Sequence, residues 1–366
     1  MVTTEELSKR IFNAQNSLSK VKNSLLLVTP GPNLRYLTNY KAKNLERLTC
    51  LAIANDRKPV LVVPELEKLA AVDAGIDEDM IDLKTWVEGS NPYDLFSNYK
   101  YENIFIDEKM TADKVLNFQG IFNHSHFLNS STVMSPLRSI KSNYEINELK
   151  IVGNMIDLVH NEISKIIKPG MTELEVAKII SNQIIEVGHD SVDFVIVASG
   201  HNSASPHHEP SNKIIERGDV VVVDIGGTSP TGYCSDSTRT YSVGKTSQDF
   251  YPSYSVLKQA QEASCQATKE DLTGEQLDLV ARNILKDNGL GNYFTHRTGH
   301  GIGLETHEEP YIVATNKNRI VTGNAFSIEP GFYIENKFGA RIEDIIVKTE
   351  NGFIRCNETT RDLIEI

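Results

Sequence analysis

The segment Val220–Tyr241, VVVVDIGGTSPTGYCSDSTRTY, constrains the fold more than any other part of the chain. Four consecutive valines lead directly into Asp224, and a second aspartate, Asp236, follows twelve residues later. The β-branched run predicts a strand buried on both faces, the Gly- and Pro-rich middle predicts a turn, and the Thr-rich end predicts a returning strand. Two carboxylates in one buried hairpin repel each other unless a cation lies between them. The segment therefore predicts a buried cation site.

The bulk composition limits the class of protein. A chain of 366 residues with 40% hydrophobic and 23% charged residues is long enough for two globular domains. Its net charge of −12 argues against a nucleic-acid or anionic-membrane partner. The four cysteines include no C-x-x-C pair, which argues against a disulfide framework or a zinc knuckle. The N-terminal segment predicts an amphipathic helix rather than a signal peptide, so we expect a cytoplasmic protein.

Residues 1–135 alternate apolar runs with helical patterns, which predicts an α/β domain built on a sheet. NSLLLVT, LTCLAIAND, KPVLVVP and ENIFIDE are predicted strands, and the opening TTEELSKRIFNAQNSLSKV is a predicted helix. We interpret His124 and His126 as residues of a surface loop, and PGPNLRYLTNY as a loop that lines a cleft or simply joins two elements. The Ser-rich stretch 129–143 predicts a boundary, with a second domain over residues 140–366.

Two pairs of predicted helices organise the second domain. Capping boxes at Ser142 and Thr172 begin NYEINELKIVGNMIDLVHNEISKIIK and TELEVAKIISNQIIEVG. A helical stretch over about 252–270 and a third box, TGEQ, before LDLVARNIL repeat this arrangement. The pattern indicates either an internal duplication, with two similar halves around a central site, or a chance likeness between amphipathic helices.

Further candidate ligands follow the aspartate hairpin. HRTGHGIGLETHEEP places His300 and His307 among glycines that imply close backbone approach. AFSIEPGFYI runs into Glu329, and GARIEDIIVK, its predicted returning strand, carries Glu343 beside Asp344. Strand alternation sends only one of these last two inward, and periodicity alone does not decide which.

Four carboxylates and one imidazole form an oxygen-rich donor set. This set suits Mn²⁺, Co²⁺, Fe²⁺ or Zn²⁺ better than Ca²⁺ and excludes metals that prefer thiolates. Five protein ligands exceed what one catalytic metal with an open position takes, whereas two metals about 3.5–4 Å apart would use all of them. A purely structural salt-bridge network is the alternative, and the recurrence of such features over about 120 residues argues against it.

The segments SPHHEP, DIGG, GYCSDSTRT, GHGIGLETHEEP, SIEPG and ARIED, in this order, resemble the motifs of the pita-bread metallopeptidases. That family comprises prolidase, aminopeptidase P and methionine aminopeptidase, with creatinase as a non-metal relative. The resemblance covers about residues 140–366, and residues 1–135 resemble the N-terminal domain of prolidases only loosely. It implies an α/β N-terminal domain followed by an α+β pita-bread catalytic domain with pseudo-twofold halves.

The resemblance also implies roles for individual residues. Asp236 and Glu343 would bridge two metal ions, which selects Glu343 over Asp344. The implied metal ligands are Asp224, Asp236, His300, Glu329 and Glu343. The implied non-ligand residues are His207 and His307 near the reacting carbonyl and Arg341, which would orient carboxylates. His201 and His208 are interpreted as structural.

The implied reaction is hydrolysis of the Xaa-Pro bond at the N-terminus of dipeptides or short peptides. A hydroxide that bridges two ions, Mn²⁺ or Co²⁺ first and Zn²⁺ or Fe²⁺ as alternatives, would attack the carbonyl. Glu329 would take the proton of the water and deliver it to the leaving nitrogen, while His307 and His207 would stabilise the oxyanion or guide the proton. The resemblance further implies a homodimer.

The branch of the family is less tightly constrained. The leading domain and the 14-residue interval between Glu329 and Glu343 favour the proline-specific branch over methionine aminopeptidase. Tyr311 follows HEEP, where many prolidases carry an arginine that holds the free carboxylate of a dipeptide. A strict prolidase and an aminopeptidase P that acts on longer peptides therefore both remain open. The complete ligand set argues against a creatinase-like amidinohydrolase and against a non-catalytic binding module.

Overall fold

The computed structural model describes residues 2–77 and 79–366, which divide into two compact units. The first unit ends at Arg138 and the second is Ser139–Ile366. Short 3₁₀ turns lie at Glu65–Glu67, Pro92–Phe96, Gly200–Ala204 and Gly291–Tyr293. Among the helices in these described ranges, none combines the length and the apolar character needed to cross a membrane.

The first unit contains a six-stranded mixed sheet in the order β4-β3-β2-β1-β5-β6. Its strands are β1 (Ser24–Val28), β2 (Cys50–Ile53), β3 (Val60–Pro64), β4 (Asp82–Trp86), β5 (Asn103–Ile106) and β6 (His126–Asn129). Its helices are α1 (Thr4–Ser19), α2 (Pro32–Thr38), α3 (Lys68–Asp73), α4 (Ala112–Ile121) and α5 (Ser131–Ser139). The four predicted strands are β1, β2, β3 and β5, whose apolar residues form a buried core.

Two interpretations of this region were wrong. His126 is not in a loop but begins β6, because residues 126–129 pair with β5 as a parallel edge strand. The turn-rich stretch after β1 forms α2, since Pro32 at the first helical position has a fixed φ that suits a helix start. The stretch 129–143, predicted as a boundary, contains the division between the two units, which falls after Arg138. It also contains α5, whose first turn is held by the Asn129 side chain accepting from Ser131 N at 2.8 Å.

The second unit contains four helices and eleven strands within Ser139–Ile366. The helices are α6 (Asn143–Ile166), α7 (Glu173–Glu186), α8 (Phe250–Ala267) and α9 (Gly274–Asp287). The strands are β7 (Ser191–Ser199), β8 (Val220–Thr228), β9 (Ser237–Ser242), β10 (Gly299–Gly301), β11 (Glu308–Ile312), β12 (Ala325–Ile328), β13 (Gly331–Ile334), β14 (Phe338–Arg341), β15 (Asp344–Thr349), β16 (Gly352–Arg355) and β17 (Ile364–Glu365). They form sheets ordered β17-β9-β8-β7 and β11-β10-β12-β15-β16, with β13 and β14 as a separate pair.

The two halves of this unit begin with the same arrangement of helices. Each half has two helices followed by strands, and α7 and α9 are both 14 residues long. Capping boxes hold the starts of both helices, at Thr172 and Thr273. Each of these threonines also forms an isolated β-bridge, to Ile214 and Arg319 respectively. This agreement favours an internal duplication over a chance likeness between helices.

The two faces of strand β8 lie in different surroundings. Val221 and Val223 pack into the apolar core beneath α6 and α7. Because side chains alternate along a strand, Asp224 points to the opposite face, and the register places Thr238 of β9 directly across from it. Asp224 was expected to end the strand. That expectation was wrong, because pairing with β7 carries β8 on to Thr228.

Candidate metal centre

The two glutamates of the predicted site lie at breaks between strands. One hairpin was predicted here, but β12 pairs with β15 while β13 pairs with β14. Glu329 falls between β12 and β13, and Glu343 falls between β14 and β15. Their backbone amides donate outside these pairs, Glu329 N to Thr298 O at 2.8 Å and Glu343 N to Thr238 O at 3.1 Å. These bonds join the glutamate strands to β9 and to the histidine segment.

All eight predicted site residues line one cavity of about 540 Å³. They are Asp224, Asp236, His300, Glu329 and Glu343, the implied metal ligands, together with His207, His307 and Arg341. Residues more than 130 positions apart in sequence are thus brought to one place. The geometry within the cavity separates these residues into groups.

The closest group consists of Asp236, His300 and Glu343. One ligand atom from each lies within 4.8 Å of the other two. His300 Nε2 also lies 3.3 Å from Glu329 Oε1 and 3.6 Å from Asp236 Oδ2. Asp224 is not part of this close group, and its carboxylate accepts from Arg341 and from the Thr238 hydroxyl. Three of the five predicted ligands therefore form the tightest cluster, and Glu329 borders it.

Burial makes this cluster electrostatically unfavourable without a cation. Burial and the neighbouring carboxylates raise the pKa of both Asp236 and Glu343 well above the usual range. Burial also raises the pKa of Glu329 to about 7, despite the opposing charge of Arg341. Such shifts mean that charged carboxylates lack sufficient positive charge nearby. A divalent cation would supply that charge.

His300 fits the role of a neutral ligand. Burial, with His307 as the next contributor, lowers the pKa of His300 to about 3, so the imidazole is uncharged at neutral pH. Its Nδ1 lies 3.1 Å from Gly301 O, which indicates that Nδ1 carries the proton. Nε2 then presents its lone pair to the carboxylates, as a metal ligand must. The donor set and its protonation states thus fit a divalent metal.

Arg341 and Thr238 connect the aspartate strand to the glutamates. Arg341 donates from Nη2 to Asp224 Oδ2 and from Nε to Thr238 Oγ1 at 3.0 Å. Thr238 Oγ1 lies 2.8 Å from Asp224 Oδ1 and 2.7 Å from Glu343 Oε2. Arg341 therefore touches one carboxylate directly and another through a hydroxyl. Thr238 was not predicted, although its position two residues after Asp236 places it on the same strand face.

The two non-ligand histidines enter the cavity from different segments. His307 lies beside His300, with ring centroids 3.9 Å apart, and its pKa is lowered by burial and by Arg297. His207 follows Pro206, whose carbonyl accepts from Arg341 Nη1 at 3.2 Å. The next residue, His208, bonds from Nε2 to the buried Glu173 at 2.8 Å. His201 lines a separate cavity.

Comparison with known proteins identifies the family. Residues 147–350 match the model of metallopeptidase family M24, and residues 10–140 match the Creatinase/Prolidase N-terminal domain. The chain belongs to family M24. A probable dipeptidase PepE of Mycobacterium bovis is 43% identical over 365 residues, which is 99% of this chain and 97% of that protein.

Solved structures agree with this assignment. Dipeptidase PepE from Mycobacterium ulcerans is 40% identical, with a TM-score of 0.94 over 100% of this chain and 99% of the other. A prolidase from Thermococcus sibiricus is 36% identical, with a TM-score of 0.91 over the whole of both chains. The predicted fold class is confirmed: an α/β N-terminal domain precedes the α+β pita-bread domain of a metallopeptidase.

The M24 cavity also contains residues that the sequence did not single out. They are Asp193, Phe194, Ile196, His296, Arg297 and Thr306. His296 Nε2 lies 2.9 Å from Tyr333 Oη, and that hydroxyl accepts from Arg341 Nη1 at 2.8 Å. Both His296 and Arg297 belong to the HRTGHG segment, in which only His300 was predicted as a site residue. Their nearness in sequence to His300 was the available signal.

The choice between Glu343 and Asp344 follows from their surroundings. Glu343 lines the cavity, whereas Asp344 accepts from Arg239 Nη2 at 2.7 Å and from Arg361 Nε at 2.5 Å. Asp344 is fully buried in this arginine cluster. Alternation along the strand thus directs the two acids to opposite faces.

Proposed function

We propose that this M24 metallopeptidase uses two divalent metal ions to hydrolyse the Xaa-Pro bond at the N-terminus of dipeptides or short peptides. The observation that carries the proposal is the convergence of four carboxylates and a neutral His300 on one cavity. The names of the relatives, dipeptidase and prolidase, support a dipeptide substrate with proline second. Mn²⁺ or Co²⁺ suits the oxygen-rich donors, with Zn²⁺ or Fe²⁺ as alternatives.

Five side chains would hold the ions. They are Asp224, Asp236, His300, Glu329 and Glu343, of which Asp236, His300 and Glu343 form the closest cluster. When bound, the ions would lower the pKa of a water so that hydroxide is available at neutral pH. Arg341 keeps Asp224 oriented through its direct contact.

The remaining steps belong to the protein's own side chains. Glu329 lines the cavity beside His300, where it suits a group that accepts a proton from the attacking water and returns it to the proline nitrogen. His307 and His207 face the same cavity and would donate hydrogen bonds to the oxygen of the scissile carbonyl.

A direct assay tests the proposal. Ala-Pro, Met-Pro and an Xaa-Pro-Xaa tripeptide should be compared side by side, with and without Mn²⁺ or Co²⁺. We expect metal-dependent release of the first residue from the Xaa-Pro substrates, and none from matched peptides with alanine second. Equal cleavage of the alanine peptides would reject proline specificity, and activity that persists after metal removal would reject the metal-dependent mechanism.

An aminopeptidase P that acts on longer peptides is the second candidate. Tyr311 follows Pro310, where many prolidases are expected to carry an arginine for the substrate carboxylate. Without that arginine, a strict preference for dipeptides needs another cation. Faster cleavage of the tripeptide than of the dipeptides would favour this candidate.

We also propose that the enzyme is a cytoplasmic homodimer. Residues 1–135 would form its N-terminal domain and residues 140–366 its catalytic domain. The family resemblance supports the dimer, and the buried, unpaired state of all four cysteines suits a reducing compartment. Light scattering of the purified protein measures the oligomeric state, and a monomeric mass at micromolar concentration would reject the dimer.

A further inference from the structure

The two guanidinium groups that line the cavity differ in burial and in the hydrogen bonds that they donate. Arg341 is buried, and its donors are used by Asp224, Thr238, Tyr333 and the Pro206 carbonyl. Arg297 is only half-buried. Within residues 2–77 and 79–366, no carboxylate forms an ion pair with Arg297. Arg297 is therefore the cation of the lining that retains the capacity to bind an anion.

The position of Arg297 is fixed by two contacts. Its Nη2 lies 3.3 Å from His307 Nδ1, and its guanidinium carbon lies 4.7 Å from the centre of the Tyr311 ring. Stacking on an aromatic ring stabilises the orientation of a guanidinium without using its N–H donors. The Arg297 guanidinium thus packs against the ring of Tyr311. Tyr311 occupies the position at which many prolidases are expected to carry arginine.

The geometry of a dipeptide makes this position significant. Its scissile carbonyl carbon and its C-terminal carboxylate carbon are three bonds apart, which corresponds to roughly 3–4 Å. If His307 contacts the scissile carbonyl, the substrate carboxylate lies within reach of a group that touches His307. The cavity is otherwise acidic, with Asp193 added to the proposed metal ligands, so a substrate carboxylate needs a cation of its own.

We propose that Arg297 binds the C-terminal carboxylate of a dipeptide substrate and makes the enzyme prefer free dipeptides to longer peptides. This inference rests on the proposed peptidase function. In a longer peptide, a neutral peptide bond occupies the place of the carboxylate, and the charge-assisted hydrogen bonds to the guanidinium are lost.

Ala-Pro and Ala-Pro amide form a matched test pair, because they differ at the C-terminal carboxylate. The kinetic constants kcat and KM should be measured for the Mn²⁺-loaded wild type, Arg297→Gln and Arg297→Lys. We expect Arg297→Gln to raise the KM for Ala-Pro about 10- to 100-fold relative to its effect on the amide. Arg297→Lys should restore part of that difference. The control is Arg319→Gln, which changes an exposed arginine paired with Asp271 and should match the wild type on both substrates.

Other outcomes overturn the inference or separate it from the proposed function. An equal loss on both substrates would mean that Arg297 acts only by positioning His307. A wild type that prefers Ala-Pro amide to Ala-Pro would overturn the inference, because the free carboxylate would then not be recognised. If neither substrate is hydrolysed, the proposed function fails, and calorimetric binding of the two compounds still tests Arg297. Weaker binding of Ala-Pro alone in Arg297→Gln supports the inference, and unchanged discrimination rejects it.

Discussion

Glu343 and Asp344 are neighbours in sequence but lie in two buried clusters with opposite charge balance. On the cavity face, burial and nearby carboxylates raise the pKa of Glu343 well above its usual range. On the other face, burial would also raise the pKa of Asp344, but the arginines around it, Arg239 first, outweigh burial and lower it. Arg239, Arg355 and Arg361 all lie within ion-pair distance of this one carboxylate.

The difference separates a binding site from a structural core. A buried charge that already has its partners holds the fold together and has no need of a ligand. A buried group of like charges is destabilising until something binds to it, which is typical of functional sites. The two clusters are also connected, because Arg239 Nη1 donates to the Glu343 carbonyl at 2.5 Å. The structural cluster therefore holds the backbone of a residue in the candidate metal site.

Glu329→Gln gives the largest expected effect and tests the cavity face. The substitution keeps the size of the side chain but removes its ability to accept a proton, so kcat for an Xaa-Pro dipeptide should fall about 10³- to 10⁴-fold. Metal content, measured by elemental analysis after dialysis, should fall far less than kcat. Near-normal turnover in this variant would contradict the proton-transfer role of Glu329.

Asp344→Asn tests the arginine face. Removing the charge leaves the buried Arg239 and the partly buried Arg355 and Arg361 without their shared partner, so the free energy of unfolding should fall by about 3 to 5 kcal/mol. Urea denaturation of the wild type and the variant measures this difference. The matched control is Asp362→Asn, which removes an exposed carboxylate paired with Lys258 and should change stability by less than about 1 kcal/mol. Similar losses in both variants would remove the distinction drawn between the clusters.

Unlike Asp344→Asn, the substitution Asp236→Asn should not lower the stability of the metal-free protein. In metal-free protein the substitution relieves repulsion with Glu343, so stability should be equal to or above that of the wild type. Mn²⁺ at about 100 times its dissociation constant should stabilise the wild type by about 2.7 kcal/mol, and this response should be lost in Asp236→Asn. Asp344→Asn should retain the Mn²⁺ response despite its lower stability. Thermal scans with and without Mn²⁺ measure the stabilisation of all three proteins by the metal. Full stabilisation of Asp236→Asn by Mn²⁺ would exclude Asp236 as a metal ligand.

Local signals predicted the elements of this fold well. The valine run of β8 and the capping boxes at Ser142, Thr172 and Thr273 depend on residues next to one another, and the structure confirms them. Gly226 was placed in a turn because glycine is common there. It lies in β8 instead, where a Cβ atom would come within 2.5 Å of the Phe194 ring. Close packing against β7, which sequence does not display, explains this glycine.

The pairing of distant strands was harder to predict than the identity of the site residues. The eight site residues were named from motifs, and the structure brings them to one cavity. The single glutamate hairpin was wrong because β12 and β15 pair across the inserted pair β13 and β14. Arg297 was missed because its importance depends on contacts with Tyr311 and His307, and the arginine cluster around Asp344 was missed for the same reason.

His160 provides the smallest expected effect and a pH test of the arginine face. It lies in α6, with Nδ1 3.0 Å from Tyr241 Oη and Nε2 3.1 Å from Ser237 O. Burial, with Arg239 as the next contributor, lowers the pKa of His160 to about 3 from an ordinary value of 6.5. Above pH 6.5 neither the folded nor the unfolded state binds a proton at this residue, so its stabilising contribution is fully present. Between pH 6.5 and 3 only the unfolded state is protonated, and stability falls as the pH falls.

The expected loss at His160 is about 1.4 kcal/mol between pH 8 and pH 5.5. His160→Gln should abolish this part of the pH dependence, which urea denaturation at several pH values measures as the difference from the wild type. Taking the difference cancels the contribution of the cavity carboxylates, whose raised pKa values give a slope of opposite sign. His124→Gln, at an exposed position, is the control and should keep the wild-type slope. An unchanged slope in His160→Gln would mean that burial and Arg239 do not lower the pKa of His160, because a buried histidine held neutral must destabilise the folded state in acid.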